Sequence, residues 1–295
     1  MKFSVVIPLY NKEKFIIETL YSVLSQSFAN FEVIIVNDGS TDSSLQKLSE
    51  IDDDRVRIIT IDNGGVSNAR NVGIINTNFD WVAFLDADDS WDQNYLQECV
   101  NIILENKGAD VIATNYFLVY ESLKVKALEL NDGFIASYFQ KPCICSSAVL
   151  INKSMFKRVG VFDPELKYGE DQHLWFRIGA NCKIYFNSSP LINYRMEDHQ
   201  LSNSNIKQRS ISADLVSVID DLEIYSEEWE IFKTNYMLKY LRPYYMYDNH
   251  LSSVKIILGK IPFKRKWNLL NLFYILPRFI VKPLYKVFYF VKYTK

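Results

Sequence analysis

The 295-residue chain lacks any apolar run long enough to cross a bilayer. The longest in its C-terminal part, Leu269 to Leu276, contains Asn271 and is closed by Pro277 and Arg278, well short of the ~20 residues a spanning helix needs. No transmembrane helix is expected. No sequence period recurs, which argues against a repeat array. The four cysteines, Cys99, Cys143, Cys145 and Cys182, form no Cys-x-x-Cys pair and nothing near the start directs them to an oxidising compartment, so free thiols are expected. Met1 to Tyr10 opens with a lysine and apolar residues, but Pro8 interrupts the run and no small-residue cleavage pattern follows. It reads as a strand, not a signal peptide.

One further absence divides the chain. None of the 35 Asp and Glu residues lies beyond Asp248, whereas ten of the 33 Lys and Arg residues do, giving a net charge of -12 up to that point and +10 after it. A uniformly basic nucleic-acid binder would not have this distribution. An acidic body with a basic terminus suits attachment to an anionic surface such as a membrane leaflet.

What is present is core material: 48% hydrophobic and 23% charged side chains describe a folded protein, of a length for one large domain with an appendage or for two domains. Phe3 to Leu9 is a dense apolar run, Lys14 to Leu24 has helical spacing, and Phe31 to Val36 is a second apolar run. The alternation continues with a helix over Asp42 to Glu50, a strand over Val56 to Ile61, a helix over Val66 to Asn76, a strand over Trp81 to Leu85 and a helix over Trp91 to Lys107. Such alternation predicts an α/β fold with a mostly parallel, Rossmann-like sheet flanked by helices.

Ligands of such sheets bind beyond the carboxyl ends of the strands, so the residues there are read first. They are Pro8, Tyr10 and Asn11 after the first strand, Asp38 and Gly39 after the second, Asp62, Asn63 and Gly64 after the third, and Asp86, Ala87, Asp88 and Asp89 after the fourth. Carboxylates gathered at one edge are costly without cations or hydrogen-bond donors. Asp86-Ala87-Asp88-Asp89 is a hard-oxygen set suited to Mg²⁺ or Mn²⁺, although Asp89 or Ser90 could also cap the helix that follows. Asp38 can serve as a turn residue or accept the imide N–H of a pyrimidine base, and both roles are compatible. Asn63-Gly64-Gly65 before a helix carrying Arg70 is neither GxGxxG nor a Walker loop; it could bring backbone N–H groups to a nucleotide or be a plain glycine turn.

In this order, Val5-Val6-Ile7-Pro8-Leu9-Tyr10-Asn11, Val36-Asn37-Asp38-Gly39-Ser40-Thr41-Asp42, Asn68-Ala69-Arg70-Asn71-Val72-Gly73 and Leu85-Asp86-Ala87-Asp88-Asp89 resemble the nucleotide half of a family 2 glycosyltransferase with the GT-A fold. The resemblance covers roughly residues 1 to 200. It implies a catalytic domain over 1–203, with a nucleotide-binding half of about 1–107 and an acceptor half of about 108–203; the tail is not part of the shared pattern, and 204–295 reads from its own residues as a helical, basic and aromatic extension. It implies donor-binding roles for Pro8, which shapes the first loop, Tyr10 against the base, Asp38 and Arg70 on the base, Asp86 near the ribose, and Asp88 on a Mn²⁺ or Mg²⁺ ion that grips the diphosphate.

The resemblance continues in Tyr168-Gly169-Glu170-Asp171-Gln172-His173, where the family carries an acidic general base. Asp171 matches the usual position of a carboxylate that takes the acceptor hydroxyl's proton in an inverting transfer, with Glu170 beside it; the alternative is that the pair only caps a helix over Asp171 to Ala180. Tyr194-Arg195, followed by His199-Gln200-Leu201-Ser202, resembles the family's closing segment. Here the chain departs from the pattern, since Glu197 stands where a histidine is more common; His199 is a candidate metal ligand whose alternative is a loop histidine. His173 reads as a packing or solvent-facing residue, Asp52-Asp53-Asp54 as a solvated turn, and Cys143 and Cys145 as packing groups rather than metal ligands.

Beyond the body, Lys264, Arg265, Lys266, Trp267, Phe273, Tyr274, Arg278, Phe279, Lys282, Tyr285, Lys286, Phe288, Tyr289, Phe290 and Lys292 interleave aromatic and basic side chains as segments lying in an anionic bilayer interface do. A helical hairpin on the catalytic domain or a subunit interface are the alternatives; the acidic body argues against nucleic acid. The expectation is a metal-dependent inverting hexosyltransferase, cytoplasmic and peripheral on the inner face of the cell membrane. It would move a sugar from a nucleotide-sugar donor, UDP-linked by family habit, to a hydroxyl of a glycan or polyprenyl-linked saccharide in bacterial surface polysaccharide synthesis. The rivals are an inactive, membrane-anchored nucleotide-sugar scaffold and a haloacid-dehalogenase-like phosphatase, whose Asp-x-Asp normally opens the fold instead of following three strands.

Overall fold

The structure is a computed structural model that describes residues 1–121, 123–166, 169–196, 219 and 222–236. The chain divides into two compact units, Met1–Gln200 and Leu201–Lys295. The expected boundary after residue 203, His199 and the basic, aromatic tail lie outside the described residues.

The first unit opens with β1 (Phe3–Leu9), α1 (Ile16–Leu24), β2 (Phe31–Asp38), α2 (Ser44–Leu48), β3 (Val56–Ile61), α3 (Val66–Ile75) and β4 (Trp81–Phe84). Every residue of β1 is buried, which is what a strand reading Phe-Ser-Val-Val-Ile-Pro-Leu requires when helices cover both faces of its sheet. Side chains alternate between those faces. Phe3, Val5, Ile7 and Leu9 pack with Ile16, Leu20 and Val23 of α1, and with Tyr95, Leu96 and Cys99 of α4 (Tyr95–Glu105). On the opposite face Ile34 and Val36 of β2 pack with Ala69 of α3. Each fully buried aliphatic side chain contributes about 1.5–3 kcal/mol. Next to that second cluster α3 lies so close to β1 that a Cβ on Gly73 would sit 2.2 Å from Val6 Cγ1, so only glycine fits there.

Pairing runs parallel in the order β3-β2-β1-β4. The chain winds outward from β1 through β2 to β3 and then returns to place β4 on the other side of β1. This reversal opens a crevice at the carboxyl ends of β1 and β4, where a ligand of such a sheet binds.

Beyond β4 the sheet is mixed. β9 (Val149–Asn152) runs antiparallel to both β4 and β6 (Val111–Val119), and β6 runs parallel to β10 (Ile184–Arg195). Two short strands, β7 (Lys124–Lys126) and β8 (Gly133–Phe134), pair at its margin. The helix expected from Trp91 begins only at Tyr95, because Ser90 and Trp91 form a short strand, β5, antiparallel to β10. The Trp91 indole N–H donates to the Ser147 carbonyl at 2.8 Å, which holds the ring in the sheet layer instead of on a helix. α5 (Met155–Val159) and α6 (Glu170–Asn181) complete the first unit among the described residues. In the second unit, a helix over 227–236 carries Trp229, Phe232 and Tyr236 in a ladder with ring centroids 5.9 and 5.7 Å apart.

Candidate functional site

Three loops leave the carboxyl edge of the sheet and bond to one another. Asn11, in the left-handed region at φ +50°, accepts the Thr41 N–H on its side-chain carbonyl at 2.8 Å, and its own N–H donates to Ser40 Oγ. The Glu13 N–H donates to Asp42, and the Lys12 N–H to Ser44 Oγ. Asp42 also accepts the Ser44 N–H at the start of α2. The loop after β1 is thus fastened to the loop after β2. Pro8 lies buried inside β1 opposite Val36, and Tyr10 is half exposed at the rim.

Asp38 is 3% exposed, and its two oxygens accept the N–H groups of Gly64 and Gly65 at 2.7 and 2.9 Å. It therefore shapes the glycine turn that starts α3. A carboxylate offers about four lone-pair sites, so these two bonds leave acceptor capacity.

Arg70 links regions that the sequence keeps apart. It is 4% exposed, donates from Nη2 to Asp86 Oδ1 at 2.8 Å and from Nη1 to Glu170 Oε1 at 3.1 Å, and lies over the Phe162 ring. Its guanidinium lies between a carboxylate just after β4 and one at the start of α6. Glu170 follows Gly169, whose φ of +75° turns the chain into the helix. Asp171 is next, and its Oδ1 accepts the Gln172 N–H at 2.6 Å. Burial raises the Asp171 carboxyl above the usual carboxylate range, with Arg70 opposing the shift; Glu170 is raised by burial and by Asp171.

At the other end of the cluster Asp88 Oδ2 accepts from Lys12 Nζ at 2.5 Å. Burial raises this carboxyl too, with Lys12 opposing. Asp89 does not cap the following helix. It turns inward, accepting Ser147 Oγ–H at 2.5 Å and the Arg195 N–H at 2.9 Å, and burial beside Asp86 and Asp88 raises it well above the ordinary value. Ser147 Oγ also accepts the Asp86 N–H, and Arg195 Nε donates to the Asp88 carbonyl. Ser147, in the short turn before β9, and Arg195, at the end of β10, thereby hold the acidic turn from beyond it. Lys12 is not among the expected site residues, because its partner lies 76 positions away and no local pattern marks it; Asp89 belongs to the acidic motif, and the hydroxyl whose bond it accepts, that of Ser147, lies 58 positions away.

Other expectations resolve around this core. His173 is buried on α6, and burial lowers its imidazole to about 4, so it is a neutral packing group. Burial raises the Cys143 thiol to about 12 and the Cys145 thiol well above its usual value, so both are protonated in their surroundings. Asp53 pairs with Arg55 at 2.8 Å. Among the described residues no group of three or more His, Cys, Asp or Glu could by itself hold a metal ion, and no helix is long and apolar enough to cross a membrane.

Residues 4–160 match the model of Glycosyl transferase family 2. The chain belongs to that family. This glycosyltransferase is 30% identical over 224 residues to an uncharacterized glycosyltransferase of Rickettsia typhi, an alignment covering 70% of this chain and 67% of the relative. It is 27% identical over 243 residues to glycosyltransferase GlyG of Streptococcus pneumoniae, covering 81% and 75%. Among solved structures, S. aureus TarS 1-349 in complex with UDP-GlcNAc superposes with a TM-score of 0.67 at 22% identity, covering 90% of this chain and 78% of that one. The glycosyltransferase therefore has the GT-A fold, with a central sheet flanked by helices.

Proposed function

We propose that this glycosyltransferase moves a sugar from a UDP-linked donor to an acceptor hydroxyl by a single, inverting displacement. The observation that carries the reading is the Arg70 bridge, which brings the donor-side carboxylate Asp86 and the pair Glu170–Asp171 to one buried guanidinium. The likeness to TarS in complex with UDP-GlcNAc supports a UDP-sugar as donor.

In this reading Pro8 and Tyr10 shape and line the base pocket, and Asp38 offers its remaining lone pairs to the pyrimidine imide. Asp86 lies near the ribose. A Mn²⁺ or Mg²⁺ ion would be held by Asp88 together with the donor's diphosphate, and when bound would supply Lewis-acid stabilisation of the departing UDP. One buried carboxylate, with no full cage among the described residues, fits an ion that arrives with phosphates and keeps waters. Asp171 takes the proton of the acceptor hydroxyl as its oxygen bonds to the anomeric carbon and the bond to UDP breaks. Burial raises Asp171 and so makes it a better proton acceptor than an exposed aspartate.

The nucleotide half is assigned to about 1–107, the acceptor half to about 108–203, and the extension to 204–295. The charge and aromatic pattern beyond Asp248 supports a cytoplasmic enzyme held peripherally on an anionic inner membrane face, acting on a glycan or polyprenyl-linked saccharide in surface polysaccharide synthesis.

The test is the melting temperature in UDP, with and without Mn²⁺, for the wild type and Asp88→Ala. A ligand of the native state at about 100 times its Kd adds about 2.7 kcal/mol of stability. The expected result is a Mn²⁺-dependent UDP shift that Asp88→Ala loses. No shift with UDP under either condition overturns the proposal.

A further inference from the structure

We infer that Lys12 is the resident counter-cation of Asp88, which a divalent ion must displace. Free metal therefore binds poorly, and metal enters together with the donor. The inference deepens the proposed reading of Asp88 and rests on it.

Three observations carry it. The Asp88 side chain is 11% exposed and its Oδ2 lies 2.5 Å from Lys12 Nζ. Asp86 adds like charge beside it and burial strips its water, so an ionised Asp88 without a cation would be costly in that setting. Lys12 is built to serve as an exchangeable partner. Its backbone N–H is fixed to Ser44 Oγ while its side chain is 31% exposed on a flexible four-carbon stem, so the ammonium can leave without unfolding the loop.

An ammonium on Oδ2 and a divalent ion on the same carboxylate repel each other strongly even when the ion takes Oδ1, so metal binding drives Lys12 away. A bare ion gains one carboxylate and must displace an established ion pair. An ion carried by a diphosphate brings additional oxygen ligands, and its phosphates offer the departing ammonium a new anionic partner. Lys12 would thus set the order of loading at the site through its charge alone.

The experiment is a thermal-shift titration of Mn²⁺ without nucleotide on the full-length wild type, Lys12→Gln, Lys12→Arg and the double variant Lys12→Gln/Asp88→Asn. Lys12→Gln is expected to respond at about tenfold lower Mn²⁺ than the wild type, because a cation is no longer held where the ion binds. Lys12→Arg should respond as the wild type does, and the double variant should lose the gain. Equal Mn²⁺ midpoints for the wild type and Lys12→Gln, or no Mn²⁺ response in either, overturn the inference. Titrating UDP alone into the same proteins separates the two readings. UDP binding together with equal Mn²⁺ midpoints leaves the donor site standing and removes only the role of Lys12.

Discussion

The acidic turn after β4 and the acidic start of α6 are joined by one arginine, yet their charges are held in different ways. In the turn, Asp86 has Arg70, Asp88 has Lys12, and Asp89 has a serine hydroxyl and a backbone N–H. At the helix start, Arg70 bonds Glu170, whereas Asp171 accepts the N–H of Gln172 and feels Arg70 electrostatically. Burial raises the proton affinity of Asp88 and Asp89 in the turn as it does that of Glu170 and Asp171 at the helix start; what differs is the partners, a side-chain cation on Asp86 and on Asp88 against a backbone N–H on Asp171. In the proposed reading these different partners suit the turn to gripping a donor and Asp171 to taking a proton.

The largest expected effect separates these two jobs. Asp171→Asn should lower transfer by about 10²- to 10⁴-fold, the usual worth of a positioned base, while leaving UDP affinity by calorimetry unchanged. If UDP affinity falls as much as transfer, the division of labour is wrong. In the wild type, the acid limb of the transfer rate should lie above the ordinary aspartate range, since burial raises the group that must be ionised. An acid limb at the value of an exposed aspartate would remove that argument.

Arg70→Met attacks the link itself. It leaves two carboxylates without their shared cation and should cost about 3–5 kcal/mol in chemical denaturation, towards the lower end because the Asp86 side chain is 26% exposed. A loss below ~1 kcal/mol would mean that the bridge is solvent-screened and does not join the clusters. Ser147→Ala is the mildest of these changes. It removes one donor to buried Asp89 and the acceptor of the Asp86 N–H, for an expected loss of about 1–3 kcal/mol, and should weaken UDP binding more than it alters the pH profile.

The two regions also differ in how far they could be read from residues alone. The donor side is made of contiguous apolar runs with turns between them, and expected strands such as Phe3 to Leu9 and Val56 to Ile61 are found at those bounds. There the hydrophobic period reports local structure directly, because short crossover units bury β1 on both faces, while β3 keeps its apolar run at the sheet edge. The acceptor side is joined by pairings over long separations. Four residues of β9 enter between β4 and β6, and Trp91 leaves its helical pattern to pair with Ile192. Such choices depend on partners that no local window contains. The site shows the same limit: Asp86, Asp88 and Asp171 stand out in their motifs, whereas Lys12 and Ser147 gain meaning only from the carboxylates they meet.

The central claim is a single displacement assisted by Asp171, and the anomeric configuration of the sugar tests it most directly. Proton NMR of the anomer first formed when water replaces the acceptor, starting from an α-linked UDP-sugar, should show the β anomer ahead of mutarotation. Initial release of the α anomer would contradict it.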